Sequence, residues 1–181
     1  TGNVIAGAGT TDRLTLGGAT STGNFNAGLI GTQYTGFEIF EKNTSLTWNL
    51  TGTAGVAAPW SVSSGALSAT TNSLTGNIIL TGGSVIFNQA FDGAYNGTMY
   101  GTGGTLFKNG AGTVTFTGTQ TSTSATTVNA GAIALSAANN IGTGALTLQG
   151  GTLIYNAGFS SGRNIIANGG GATINTNGFN A

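Results

Sequence analysis

The chain has 181 residues, of which 39% are hydrophobic and only 4% charged, and its four basic and four acidic side chains leave no net charge. An ordinary soluble domain carries about 25% charged residues, so this chain lacks a basic surface for phosphate backbones or anionic lipid, and nucleic acid is excluded as a partner. The sequence contains neither cysteine nor histidine, which excludes disulfides, thiolate metal sites and the commonest general base.

The sequence predicts no membrane helix and no leader. Its longest apolar runs, such as 78–80, are far shorter than the roughly 20 residues of a membrane span, and no basic segment followed by an apolar one opens the chain. We therefore expect a chain that starts at Thr1 to be a mature protein or an excised piece of a larger one.

Short alternating strands are the predicted elements along the whole chain. The 34 glycines, together with many Thr, Asn and Ser residues, disfavour helices. Apolar residues alternate with Thr or Ser in runs closed by Gly or Asn, at 14–16, 44–50, 113–117, 145–148 and 152–155. Such runs bury one face of a strand and expose the other. Residues 20–37 are the least regular part, and we interpret 37–42 as a loop that returns to a strand.

A long internal repeat organises these strands. Residues 40–53 align with 106–119 and residues 62–67 with 128–133, both at an offset of 66, since 108 − 42 = 66. Residues 82–88 align with 150–156 at an offset of 68, since 150 − 82 = 68. A fixed period of this kind is typical of solenoids. The drift from 66 to 68 indicates a two-residue insertion in a turn.

The repeat predicts the fold class. Each unit contains three strand-rich motifs about 22 residues apart, which predicts an all-β, right-handed parallel β-helix (β-solenoid) of about eight turns. At a strand spacing of roughly 4.8 Å the stack would be about 40 Å long. We expect a single domain over 1–181, with a less regular part at 1–36, a first long unit at 37–105 and a second at 106–181. Glycines are expected at corners that need a positive φ or a close approach of neighbouring turns.

Two stretches carry a family resemblance. Residues 106–118 read LFKNGAGTVTFTG and residues 126–133 read TTVNAGAI, and 141–153 and 163–178 continue the pattern. The sequence over about 37–181 resembles the autotransporter-associated β-strand repeat, which is typical of passenger domains of type V secreted proteins of Gram-negative bacteria. It departs from that repeat at 122–125, where Ser-Thr-Ser-Ala replaces the usual aromatic-Gly-Gly.

The resemblance implies a secreted or surface-displayed β-helical stalk at the bacterial outer membrane. It implies adhesion, autoaggregation or biofilm formation, and transport through a C-terminal β-barrel that these residues do not contain. Membrane attachment is expected only through that barrel.

The charged residues give no pattern of catalysis. They are Asp12, Arg13, Glu38, Glu41, Lys42, Asp92, Lys108 and Arg163. Polysaccharide lyases share the parallel β-helix but need clustered carboxylates for Ca²⁺ and a basic proton acceptor. These charges are scattered, so we expect solvated surface charges, no enzyme, no metal and no cofactor. The Gly-rich segments 101–104 and 168–171 lack the Lys and the helix of a phosphate loop and are expected to be turns.

Threonines and aromatic residues are the candidates for partner contact. Thr113, Thr115, Thr117 and Thr119, followed by two more alternating threonines, place hydroxyls along one side of an extended chain. Stacked in neighbouring turns, they would form the flat face of an ice- or glycan-binding module, although Thr is also the ordinary outward residue of exposed strands. Aromatic rings suit apolar sugar faces.

Three aromatic residues are candidates for contact with a partner. Trp60 follows Pro59 and is expected to be exposed, and Tyr95 and Tyr100 flank a glycine-containing loop, whereas Trp48 is expected in the core.

These observations favour a non-catalytic cell-surface structural protein, as a stalk, an adhesin or a filament subunit. An uncapped β-helix exposes strand edges at both ends, and few charges are present to block their pairing. Self-association, end to end or as another homo-oligomer, is therefore the expected partnership. The alternative is a glycan- or ice-binding module that uses the threonine face or the exposed aromatic residues, with a surface glycan as partner.

Overall fold

The computed structural model describes residues 2–9, 11–18 and 20–180. The strands in chain order are β1 (Val4–Ile5), β2 (Arg13–Leu16), β3 (Gly23–Asn26), β4 (Tyr34–Thr35), β5 (Ile39–Lys42), β6 (Thr47–Thr51), β7 (Trp60–Val62), β8 (Ala66–Ala69), β9 (Ile78–Leu80), β10 (Ser84–Asn88), β11 (Gly93–Tyr95), β12 (Met99–Tyr100), β13 (Thr105–Asn109), β14 (Thr113–Phe116), β15 (Ala125–Val128), β16 (Ala132–Leu135), β17 (Leu146–Leu148), β18 (Thr152–Tyr155), β19 (Ile165–Ala167) and β20 (Thr173–Asn175). Short 3-10 helices occur at Ala27–Leu29 and Ala138–Ile141.

The strands stack in parallel along one axis. Among the described residues, eight strands form the longest sheet, sheet 2, in the order β3-β6-β8-β10-β13-β15-β17-β19. Sheet 1 contains β2-β5-β7-β9-β12, sheet 3 contains β11-β14-β16-β18-β20, and β1 pairs with β4 at the N-terminal end. Within sheets 1 to 3, each strand pairs in parallel with the strand one turn later along the chain. This arrangement is a parallel β-solenoid, which confirms the predicted fold class; its right-handedness stays a prediction.

The turns differ in length. Within sheets 1 to 3, the step between registered partners is shortest at places such as Ala66 to Ser84 (84 − 66 = 18) and longest from Arg13 to Ile39 (39 − 13 = 26). In the described ranges, the eight strands of sheet 2 enclose seven steps (8 − 1 = 7), so the stack has about seven turns, where about eight were predicted. At about 4.8 Å a step it is about 34 Å long.

The N-terminal turns are longer because they contain extra elements. Residues 20–37, expected to be irregular, include β3, the first 3-10 helix and β4. Strand β3 joins sheet 2 by pairing with β6. Residues 37–42 do return to a strand, since β5 begins at Ile39.

The 66-residue repeat does not return to the same face of the solenoid. Registered pairs connect Phe40, Trp60, Ile78 and Met99 within sheet 1, so three turns advance the sequence number by 59 (99 − 40 = 59). An offset of 66 therefore covers three turns and a further seven positions (66 − 59 = 7), which reach the next sheet. Strand β5 of sheet 1 thus aligns with β13 of sheet 2, and β6 of sheet 2 aligns with β14 of sheet 3. The sequence alone predicted three turns per unit. The register shows that a unit covers three turns and one additional face of the solenoid.

The core consists of columns of inward-facing alternates. In sheet 2 one column runs through registered, buried residues, namely Leu67, Val85, Leu106, Thr126 and Leu146. Aromatic rings also pack in the core, as between Phe87 and Tyr95, whose ring centroids lie 5.2 Å apart. Burying each large apolar side chain stabilises the fold by about 1.5–3 kcal/mol.

One hydroxyl interrupts this column. Thr126 lies in register between Leu106 and Leu146, and its Oγ1 is buried without a hydrogen-bond partner among the described residues. We expect Thr126→Val, which keeps the shape and removes the unpaired hydroxyl, to stabilise the fold by about 1 kcal/mol. Thermal unfolding would show a rise of about 2–4 °C in Tm. The neighbouring Thr127→Val, on the outer face, is the matched control, and an equal rise there would contradict the interpretation.

Glycines allow the corners of successive turns to touch. A Cβ on Gly112 would lie 2.1 Å from the carbonyl oxygen of Phe91 on the preceding turn. Gly65 has a φ of +63°, and a Cβ there would lie 2.2 Å from the Thr44 carbonyl oxygen. These two positions confirm the expectation that corner glycines serve a positive φ or a close approach.

Candidate functional site

The aromatic candidates separate into buried and exposed residues. Tyr100 is exposed, at 38%. Trp60 and Tyr95 are buried, at 2% and 1%, because each occupies an inward alternate of its strand. Trp60 packs on Phe40, with ring centroids 5.3 Å apart, and the Tyr95 hydroxyl donates to the Gly76 carbonyl at 2.9 Å. The expectation that Trp60 is exposed, and that Tyr95 is free to contact a partner, is wrong.

Two further observations complete the aromatic set. Burial raises the pKa of the Tyr95 phenol well above its ordinary value. Trp48 is half-buried and packs against the core cluster, as expected from its inward alternate. The exposed position of Tyr100 at the end of β12 leaves contact with a partner as a prediction for that residue.

The threonine row bends around a corner of the solenoid. Thr113 and Thr115 lie half-buried in β14 of sheet 3, whereas Thr117 and Thr119 are exposed beyond its end. The backbone N–H of Thr121 already donates to the Met99 carbonyl of sheet 1, at 3.0 Å. The row therefore spans two faces.

In β14, Thr115 has no threonine beside it on either neighbouring turn. Thr115 is registered with Ala94 on one side and Ala134 on the other. A regular lattice of hydroxyls, as an ice-binding face requires, is thus broken at this column. Contact of Thr113, Thr115, Thr117 and Thr119 with a ligand stays a prediction.

The outer face of sheet 2 is a more continuous surface, which sequence reasoning missed. A registered outward column in the described strands runs through uncharged residues, namely Asn24, Asn49, Ser68, Ile86, Phe107, Thr127, Thr147 and Ile166. Beside it, the Asn129 amide donates to the Asn109 Oδ1 of the preceding turn, at 2.8 Å. This neutral column could be found in sequence only with the register known, because successive members lie a whole turn apart in the chain.

Two lysines lie inside the solenoid, where surface positions were expected. Lys42 and Lys108 are 0% and 1% exposed. The Lys108 Nζ donates to the carbonyls of Asn109 at 2.7 Å, Gly110 at 2.8 Å and Ala130 at 3.3 Å. Because Ala130 lies on the following turn, this ammonium group joins the corners of two turns. The expectation of a solvated charge at these two positions is therefore wrong.

Lys42 makes the equivalent contacts three turns and one face earlier. Its Nζ donates to the carbonyl and hydroxyl of Thr44 and, at 3.0 Å, to the carbonyl of Ser64 on the next turn. Burial lowers the pKa of both lysines, and the nearby Asp92 carboxylate partly opposes that shift at Lys108. The alternation of the strand could have predicted their burial, because each lysine lies two residues after an inward-facing apolar residue, Phe40 or Leu106.

Buried amides stabilise further corners. The Gln120 Nε2 donates to the Gly97 carbonyl at 3.0 Å, and its Oε1 accepts from the Met99 N–H of the preceding turn. Gln89 and Asn140 make similar links between backbone groups. These side chains satisfy buried backbone groups that would otherwise destabilise the fold.

The remaining charges near the N-terminus are exposed at Arg13 and Glu38 and half-buried at Asp12 and Glu41. Arg13 and Glu41 form an ion pair of 3.6 Å between adjacent turns, and the Asp12 N–H donates to the Glu38 carboxylate at 2.6 Å. Within the described part of the chain, no cluster of three or more His, Cys, Asp or Glu side chains could hold a metal ion. The described residues also form no helix with the length and apolarity of a membrane span.

The geometry defines a parallel β-solenoid with an apolar core, corner clamps between turns and a neutral outer column. No family model matches the chain, and no solved structure matches it. Half of the chain is similar to the Adhesin BmaC autotransporter of Brucella suis biovar 1 (strain 1330), with 37% identity over 94 residues. The match covers 50% of this chain and 3% of that protein. Together with the solenoid fold, it fits a passenger domain built of autotransporter-associated β-strand repeats, as the sequence pattern predicted.

Proposed function

We propose that the chain is a non-catalytic segment of a bacterial cell-surface adhesin. It acts as a β-helical passenger or stalk on the outer-membrane side of the cell. The observation that carries this proposal is the unbroken, registered stack of parallel strands in sheet 2. The similarity to an autotransporter adhesin supports the same assignment.

The stack suits a stalk because its length grows regularly with sequence. Each turn buries its core only against its neighbours, and every turn advances the structure by about 4.8 Å. The outer column of sheet 2 is then an adhesive surface that runs along the whole stack. Its outward amides, hydroxyls and Phe107 allow polar and apolar contacts without a dependence on charge.

Adhesion of particles coated with the purified chain tests this function. We expect coated beads to bind epithelial cells or extracellular matrix well above albumin-coated beads, and antibodies against the chain to label intact source bacteria. Phe107→Glu, in the outer column, is expected to reduce bead binding at least tenfold. Ala94→Glu, exposed on sheet 3, is the matched control. Bead binding at the albumin level, or unlabelled intact cells, would overturn the proposal.

We further propose that the two ends of the solenoid associate with each other. Exposed apolar residues occur at both ends, Val4 and Ile5 at the first and Ile166, Ile174 and Phe179 at the last. Strands β19 and β20 have one neighbour each among the described strands, so an edge of backbone donors and acceptors stays open. Open edges pair with other strands unless charges or covering elements prevent it.

Sedimentation velocity over a range of concentrations measures this association. The wild-type chain is expected to form larger species as concentration rises, independently of salt. Ile174→Lys, which places a charge at the open edge, should shift the midpoint of association at least tenfold upward. Val56→Lys changes an exposed valine away from both ends and serves as the control. A wild-type chain that stays monomeric at high concentration would exclude end-to-end association.

A further inference from the structure

The loop between β18 and β19 contains an unusual arginine. Arg163 is half-buried, and its Nε donates to the Ser161 Oγ at 3.3 Å. Its Nη1 donates to the Gly144 carbonyl at 3.2 Å, and its Nη2 donates to the carbonyls of Ala138 and Gly142. These four bonds hold the guanidinium rigidly against the preceding turn. Because a guanidinium has five N–H groups, one N–H on Nη1 is left for another acceptor.

The charge of this arginine is not balanced by a carboxylate. All four acceptors are neutral oxygens, and the ion pair found among the described residues joins Arg13 to Glu41 instead. A half-buried cation without a counter-ion favours an anionic ligand, and the planar guanidinium is the side chain that suits carboxylates best. The arginine is therefore a fixed, unpaired positive charge at the surface.

Two cavities lie along this loop, and Arg163 lines the first of them. The first has a volume of about 350 Å³ and is lined by Arg163, Ser161, Asn139 and Thr143, among others. The second, of about 360 Å³, is lined by Gly158, Phe159, Ser160 and Asn180. Both volumes fall within the range of about 300–1,000 Å³ that ligand pockets occupy. Consecutive residues of one loop, 158–163, thus line both cavities.

The second cavity is lined by an aromatic ring. Phe159 is half-buried and stacks on the buried Tyr155, with ring centroids 4.4 Å apart and planes inclined by 15°. The stacking fixes the Phe159 ring. The polar residues Thr143 and Asn139 line the first cavity, and Asn180 lines the second. A fixed ring, several neutral polar groups and one cation are the features that an acidic sugar requires, since it combines an apolar ring face, hydroxyls and a carboxylate.

We infer that loop 158–163 binds an acidic saccharide, with the carboxylate on Arg163 and a sugar ring at Phe159. The site takes uronic-acid or similar sugars and discriminates against neutral ones. It lies outside the neutral column of sheet 2 and does not depend on the adhesin function proposed above.

Titration of the purified chain with tri-galacturonate tests the site, and neutral galactotriose is the matched ligand. We expect tri-galacturonate to bind at least tenfold more tightly than galactotriose. Arg163→Gln should remove this preference, whereas Arg13→Gln, which deletes the same charge at a distant surface position, should leave it intact. Addition of salt should weaken tri-galacturonate binding.

Because Arg163 also joins two turns, a second measurement keeps the test independent of folding. Amide NMR shifts of the wild-type chain should change at Thr143, Gly162 and Phe159 on addition of tri-galacturonate. Phe159→Leu, which leaves the arginine contacts intact, should weaken binding at least fivefold. Shift changes elsewhere, equal binding of the two ligands, or absence of binding at millimolar concentration would overturn the inference. Cell adhesion by the coated beads is a separate readout, so failure here leaves the adhesin proposal standing.

Discussion

Replacing Gly112 with alanine is expected to lower the Tm of the chain by about 6–12 °C. The added Cβ would lie 2.1 Å from the carbonyl oxygen and 2.4 Å from the carbonyl carbon of Phe91. These are backbone atoms of the adjacent turn, held there by the hydrogen bond from the Gly112 N–H to the Gln89 carbonyl, at 3.1 Å. The turns must separate, which costs about 3 kcal/mol, and each kcal/mol shifts Tm by about 2–4 °C in a chain of this size.

Gly55→Ala is the matched control for that substitution. A Cβ on Gly55 would meet nothing within 4 Å among the described residues, and its φ is not in the left-handed region. We expect a change in Tm of about 1 °C or less, in line with an ordinary surface substitution. Circular dichroism melts of both variants compare them directly. An equal effect of the two alanines would show that the close approach at Gly112 does not hold the turns together.

Replacing Lys108 with methionine is the second substitution with a large expected effect. Methionine fills the same space but donates no hydrogen bond, so the carbonyls of Asn109, Gly110 and Ala130 lose their shared donor. The Asn109 carbonyl still accepts from the Gln89 N–H at 3.3 Å, but the other two lose their donor. A buried acceptor without a donor costs about 1–3 kcal/mol, and release of the desolvated cation offsets part of that cost. We expect a net destabilisation of about 2 kcal/mol, measured as a lower urea midpoint. A midpoint equal to that of the wild type would show that the ammonium group does not stabilise the corner.

The pH dependence of the stability lost in Lys108→Met provides a second test of the same contact. Burial lowers the pKa of Lys108 in the folded chain, and Asp92 partly opposes this. Between the lowered and the ordinary pKa, the unfolded chain binds more protons than the folded chain, so the free energy of unfolding from this group rises with pH. Lys108→Met should therefore lose more stability relative to wild type at pH 9.5 than at pH 7. Arg13→Met, at an exposed position, should show no such trend.

The fold could be predicted from the sequence because its signals are local. Alternating runs such as 113–117 and 152–155 became β14 and β18, and the glycine corners followed from the same pattern. The inward lysines were misplaced because a charged side chain was assigned to the surface by residue type, although its alternate pointed inward. Trp60 was misplaced for a similar reason, since its preceding proline suggested an exposed turn while β7 buries it.

The surface could not be predicted in the same way. Its columns depend on which residues stand one above another, and the turn length varies, from the short step between Ala66 and Ser84 to the long one between Arg13 and Ile39. Neighbours such as Phe107 and Thr127 are brought together only by the register of β13 and β15. The cavity beside Arg163 lies between the second 3-10 helix and a loop that follows β18, neither of which has a periodic signal.

The extra face gained with each 66-residue unit determines how a longer array would present its surface. Each unit covers three turns and then moves on to the next of the three sheets. Three successive units therefore bring a given sequence position back to the sheet on which it started. A motif carried once in every unit would then follow a screw path around the fibre. Such an array would present that motif in three directions, so one copy would face any given side of the fibre whatever its rotation about its axis.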